Sequence, residues 1–256
     1  MKSLAMVGIF ITAIFVISSC EKEMIGFENE EFVSILKVDD DGTSSVVESN
    51  LKSVLLETPV LTDDELDLLI EMKEEEKLAH NVYIALYDIW GSNIFSRISF
   101  AEERHVNAII RLLEYYGLEE IQFGEPGIFT IDKFQTLYND LVAQGSESVE
   151  EAMKVGALIE EMDIVDLMET LDVVSNDNIT MVFENLLKAS RNHLRAFNRQ
   201  LTKLGITYIP VYLSQDEFDQ IINSPMETGK KYRVNRKEGD NIQNRHAYRN
   251  GNGNGN

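Results

Sequence analysis

The stretch Phe95-Ser96-Arg97-Ile98-Ser99-Phe100-Ala101-Glu102-Glu103-Arg104-His105-Val106-Asn107-Ala108-Ile109 decides how this chain folds. Read at steps of three and four, it puts Phe95, Ile98, Glu102, His105, Ile109, Leu112 and Tyr116 on one helical stripe. A stripe of that width faces a core. A carboxylate and an imidazole therefore sit side by side within an apolar face, one helical turn apart. An isolated carboxylate in such a place is costly unless it is paired, protonated or bound to a cation.

Three further stretches repeat the anomaly. One carries Leu69, Met72, Glu76, Ala79, Tyr83, Tyr87 and Trp90; another carries Met153, Ala157, Glu160, Ile164, Leu167 and Leu171. The last carries Ile179, Val182, Leu186, Ser190, His193, Phe197, Leu201 and Leu204. A single inward acid would be an accident. Ligand-type side chains on four successive apolar stripes predict a core built around metal.

Working outward, Thr62-Asp63-Asp64-Glu65 reads as a cap with first-turn acids, so the first helix runs from there to Trp90-Gly91. The second runs from Ser92 or Asn93 to Tyr116-Gly117. A longer connection follows, with Thr130 capping a short helix over 131–143. Long helices then span about 149–171 and 178–204, the last stopped by Gly205. Two long helices, a crossover with its own short helix, and two more long helices make an all-α four-helix bundle of ferritin-like connectivity. Residues 206–213 read as an extended strap, and Ser214 with Glu217 forms a capping box for a short helix to about Asn223. The expected organisation is a leader over 1–19, a tether over 20–61 with some local structure, the bundle over 62–205, the strap and short helix over 206–228, and a disordered tail over 229–256.

The motifs resemble those of rubrerythrin-type ferritin-like proteins. Glu76-Lys77-Leu78-Ala79-His80-Asn81-Val82-Tyr83 looks like their first-helix motif, in which a metal-bridging Glu is followed by Ala three residues on and Tyr seven on. Glu102 with His105 matches the second. Gly156-Ala157-Leu158-Ile159-Glu160-Glu161-Met162-Asp163-Ile164 and Ser190-Arg191-Asn192-His193-Leu194-Arg195-Ala196-Phe197 look like the third and fourth. More closely, 71–204 resembles an uncharacterised ferritin-like family of bacteria and archaea. The resemblance implies a dinuclear metal site and no known substrate.

One position departs from that pattern. The usual fourth helix carries Glu-x-x-His, and here Ser190 stands three residues before His193. Glu184 is half a turn out of phase with His193. Glu160 and Asp163 form another i, i+3 pair, so Asp163 is the compensating candidate. The expected ligands are Glu76, Glu102, His105, Glu160, Asp163 and His193, with Glu161 and His80 as competitors. Carboxylate with imidazole suits iron, manganese or zinc rather than copper(I), and the resemblance favours a dinuclear iron centre. Tyr83 and Tyr87 read as core residues with satisfied hydroxyls, and Glu74-Glu75 as a solvated face.

Charge narrows the partners. The net charge is −21, from 44 acids and 23 bases, which argues against nucleic acid. The tail between Lys230 and Arg249 is locally basic. The only cysteine, Cys20, follows Lys2, an apolar run over 4–17 and Ser18-Ser19. This layout resembles a bacterial lipoprotein signal, with Cys20 lipidated after cleavage. It implies an envelope protein held at a membrane by its N-terminus, on the periplasmic or outer-membrane side, as a monomer or dimer. Three functions fit: a di-iron oxidoreductase or ferroxidase, a metal-buffering protein without turnover, and a metal-free structural bundle. The residues name no substrate and no redox partner.

Overall fold

The computed structural model describes residues 31–57 and 60–235. The leader over 1–19, Cys20 and the tail over 236–256 lie outside the described residues. In chain order the elements are β1 (Phe32–Ser34), β2 (Leu36–Val38), β3 (Ser44–Val46), α1 (Glu48–Val54), α2 (Asp63–Trp90), α3 (Asn93–Tyr115), α4 (Asp132–Gly145), α5 (Val149–Val173), α6 (Asp177–Lys203), α7 (Gln215–Asn223) and β4 (Lys231–Arg233).

The long helices begin and end where local chemistry directs. Thr62 closes a capping box with Glu65 at the start of α2. Ser148 and Asn176 cap α5 and α6 by accepting backbone N–H groups of the first turn. At the end of α3, Gly117 takes the left-handed conformation at φ 85°, so that Leu118 N–H reaches Leu113 O at 3.0 Å. Gly205 does the same after α6, with Ile206 N–H on Leu201 O at 2.9 Å. Both are Schellman closures, where a side chain at the glycine would be strained.

Helices α2 and α3 form one hairpin and α5 and α6 the other. The two hairpins meet through α2 with α5 and α3 with α6. The crossover helix α4 lies against both α2 and α5, and α7 packs on α6. The architecture is the all-α four-helix bundle with one long crossover that the stripes imply. Tyr83, Phe95, Ile98, Ile109, Leu167, Val182, Leu186, Phe197 and Leu201 are all fully buried in its core.

The ends of the described chain differ from expectation. Residues 31–57 are packed: Ile35, Leu36, Val46, Leu51 and Val54 are buried, β3 lies against α3 and α6, and α1 lies against α3. β1 pairs antiparallel with β4 from the far end of the chain, and β2 with β3. Asn235 Nδ2 donates to Leu55 O at 2.9 Å. Strands of three residues are too short to show alternation, and the partner of β1 is distant in sequence, so no local pattern announces them. Among the described residues no helix is long and apolar enough to cross a membrane.

Candidate metal centre

Each long helix delivers its inward side chains to one point. Glu76, Glu102, His105, Glu160 and His193 are all fully buried, at 0% exposure. Their ligand atoms form two groups that share a member: Glu76, Glu102 and His105 in one, and Glu102, Glu160 and His193 in the other. Within each group the atoms lie within 4.8 Å of one another.

Glu102 sits between the halves. Its Oε2 is 2.6 Å from His105 Nδ1, and its Oε1 is 2.8 Å from His193 Nδ1. Glu76 Oε2 stands 3.1 Å from His105 Nδ1, and Glu160 Oε2 stands 3.4 Å from His193 Nδ1. The two imidazoles are nearly parallel, 5.6 Å apart between centroids. Neither oxygen of Glu102 makes a properly directed hydrogen bond, despite these short approaches. Glu76 Oε1, Glu160 Oε2 and His193 Nδ1 also lack a hydrogen-bond partner. Buried polar atoms are seldom left so. Only His105 Nδ1 and Glu76 Oε2 hydrogen-bond each other, and a cluster of otherwise orphaned carboxylate and imidazole atoms is what ligands to a cation look like.

The electrostatics record the same crowding. Burial drives Glu76 and Glu160 up to about 7, although the imidazoles beside them pull the other way. Burial would also raise Glu102, but His193 and His105 outweigh it and hold the carboxyl below its usual range. Burial opposes a charge on His105, yet Glu102 and Glu76 lift it to about 9. His193 is raised in the same way by Glu102 and Glu160.

The surroundings orient the ligands. Tyr83 Oη donates to Glu160 Oε1 at 2.6 Å, so its hydroxyl is satisfied by a site residue. Burial, then Glu160, pushes the Tyr83 phenol well above its ordinary pKa. Tyr87, by contrast, is 38% exposed. His193 Nε2 lies 2.9 Å from Ser44 O and 3.3 Å from Ser44 N; donation to the nearer carbonyl leaves Nδ1 to offer its lone pair to the centre. Ser44 is held by Asn192, whose Nδ2 donates to Ser44 Oγ at 2.6 Å. Arg195 in turn donates to Asn192 Oδ1 at 2.7 Å and to Glu227 Oε1 at 2.9 Å. Ser44 and Asn192 carry no sequence signal for this role, since the contact runs through backbone on a distant strand.

The other expected residues fall elsewhere. Asp163 is buried one turn beyond Glu160, outside both three-residue groups. Glu161 is buried but turns to the strap: its Oε2 accepts the N–H groups of Val211, Tyr212 and Leu213 at 2.9, 2.9 and 3.0 Å. His80 Nδ1 donates to Ser99 O at 2.8 Å, on the flank of α3. Ser190 Oγ donates back to Leu186 O at 3.1 Å, so α6 brings only His193 to the centre.

Glu74 and Glu75 are not a solvated face; they are 1% and 2% exposed. The middle of α2 is covered on every side. Glu74 pairs with Lys73 at 2.9 Å and accepts Thr130 N–H at 2.9 Å, and Lys77 Nζ donates to Ile128 O at 2.6 Å. This polar seam fastens the crossover to α2.

Residues 65–225 match the family described as "Uncharacterized protein domain (DUF2202)". The uncharacterised protein MJ0754 of Methanocaldococcus jannaschii is 44% identical over 170 residues, covering 66% of this chain and 92% of that protein. The crystal structure of hypothetical protein MJ0754 from Methanococcus jannaschii superposes with a TM-score of 0.64 at 42% identity, over 68% of this chain and all of the other. The shared length takes in the helices that carry Glu76, Glu102, His105, Glu160 and His193, and this chain belongs to the DUF2202 family.

Proposed function

We propose that this protein is a ferritin-like bundle that holds a dinuclear metal centre, iron in preference to manganese or zinc, and that reacts with dioxygen or peroxide in the bacterial envelope. The observation that carries this reading is the pair of three-ligand groups joined at Glu102. Glu76 and His105 would hold one ion, Glu160 and His193 the other, and Glu102 would offer one oxygen to each. Three carboxylates and two imidazoles are a donor set that iron accepts. Bound iron would supply electrons one at a time to a small oxidant.

The protein's own groups set the conditions. Tyr83 holds Glu160 so that Oε2 faces His193. Ser44 O favours the His193 tautomer with Nδ1 free. The rings of Tyr83, Phe95 and Phe197, 5.3 to 6.2 Å apart, form a dry layer on one side. Ligands buried so completely favour a metal ion, dioxygen or peroxide as reactant over an organic molecule. The same burial supports a second reading, a centre that stores or buffers metal without turnover. The N-terminal lipid at Cys20 would place either activity at a membrane.

Titration of metal-free protein with ferrous ion, under exclusion of air, tests the reading. Two ions per chain are expected, followed by a near-ultraviolet absorption change on adding oxygen or peroxide. Two ions without that change would leave only the buffering role. No uptake, with stability indifferent to metal in wild type and in the His105→Ala/His193→Ala variant alike, would mean a metal-free structural bundle.

A further inference from the structure

The centre is enclosed, and its two sides differ. Toward the α2–α3 turn lies the aromatic layer of Tyr83, Phe95 and Phe197. On α5, Gly156 belongs to that side, since its carbonyl meets Tyr83 Oη and its Cα packs on Phe197. In the opposite direction α3 and α6 show Ile109, Leu112 and Leu186, all fully buried and apolar. The facing seam of α2 and α5 shows acids instead.

Asp163 and Asp166 follow Glu160 at steps of three along α5, which carries them about 4.5 and about 9 Å along the helix from Glu160 at 1.5 Å per residue. On α2, Glu75 lies against both Asp163 and Asp166. Asp163 and Glu75 are 1% and 2% exposed. Neither oxygen of Asp163 has a hydrogen-bond partner, and Glu75 Oε1 has none. Glu74, next in sequence, shows the contrast, with a lysine and a backbone N–H for partners. Asp166 is half-buried, and beyond it Glu71 reaches solvent and pairs with Lys133 of α4. Lys133 stands near Glu75 and Asp166 as well.

We infer that Glu71, Asp166, Glu75 and Asp163 form an entry path for divalent cations, running beneath α4 from the surface to Glu76 and Glu160, with Lys133 at its mouth. It rests on the metal-centre reading. Buried carboxylates that face other carboxylates are costly for the fold. A cation stepping between them removes that cost transiently. The i, i+3 spacing hands the ion from Asp166 to Asp163 to Glu160 without a gap longer than one helical turn. Lys133 opposes entry until an arriving ion displaces it from Glu71.

Stopped-flow mixing of the metal-free full chain with cobalt(II), followed by its visible absorption, tests the path through rate rather than activity. Glu75→Gln/Asp163→Asn should load at least tenfold more slowly than wild type yet reach the same number of ions per chain. Asp166→Asn, at a half-buried position, should also load several-fold more slowly. Lys133→Gln should load faster. Wild-type loading rates in the double variant and in Asp166→Asn would overturn the path while leaving the centre intact. A lower stoichiometry in the double variant would also overturn it, by making Asp163 a ligand of the centre. Wild type that takes up no cobalt would remove the centre itself, and the path with it.

Discussion

His193 Nε2 lies 2.9 Å from the backbone carbonyl of Ser44, a strand residue from the opposite end of the described chain. The packed N-terminal segment is therefore part of the candidate centre. Asn192 holds it there through Ser44 Oγ and Glu227 O, at 2.6 and 2.9 Å. Asn192→Ala should leave the bundle folded and weaken metal binding by about tenfold, the usual scale for a group that orients a ligand. Calorimetric titration with cobalt(II) measures it; unchanged affinity would mean that Ser44 does not govern the imidazole.

Adjacent glutamates on α5 should separate cleanly. Glu160→Gln removes a carboxylate from one three-ligand group and should lower the stoichiometry while the strap stays in place. Glu161→Ala should do the reverse. It leaves the N–H groups of Val211, Tyr212 and Leu213 without their acceptor, at about 1–3 kcal/mol for each that water does not reach. Denaturant unfolding together with metal analysis distinguishes the two effects.

The metal-free protein should become less stable as pH rises from about 4.5 to about 9. Glu76 and Glu160 ordinarily titrate near 4.5 and are raised to about 7, so the folded state holds extra protons between those values and stability falls as they leave. His105 is raised from 6.5 to about 9, so its contribution is complete below 6.5 and is lost through 9. A bound cation replaces those protons. Metal affinity should climb over the same window, with protons released on binding, and the thermal midpoint of the loaded protein should be nearly flat. Melting curves across pH, with cobalt(II) and with chelator, check both slopes.

Gly156→Ala should destabilise the bundle by about 1–3 kcal/mol through overpacking. A Cβ there would come within 2.3 to 2.6 Å of three carbons of the Phe197 ring. The combination with Phe197→Leu should recover part of the loss, a coupling that a double-mutant cycle in urea reads directly.

The bundle was largely legible beforehand. Thr62, Gly117 and Gly205 mark helix ends by chemistry confined to a few residues, and the observed ends fall close to those marks. The five converging side chains were legible for the same reason: a position in an apolar stripe states which way a side chain points. Glu75 was not. It lies one residue off the stripe, and its burial depends on α4 and α5 covering a second face of α2. Glu161 and Asp163 both lie near the inward direction, yet neither joins the three-ligand groups: the strap takes Glu161, and Asp163 lies one turn beyond Glu160.

From the sequence alone came the helices, their order and the inward direction of Glu76, Glu102, His105, Glu160 and His193, because a 3.6-residue period converts position into orientation without knowledge of any neighbour. Tertiary structure decided which acids share a seam, that Ser44 reaches His193, and that β1 finds β4. Those contacts join residues far apart in the chain, and their energy comes from burial and hydrogen bonds that exist only once the helices have packed.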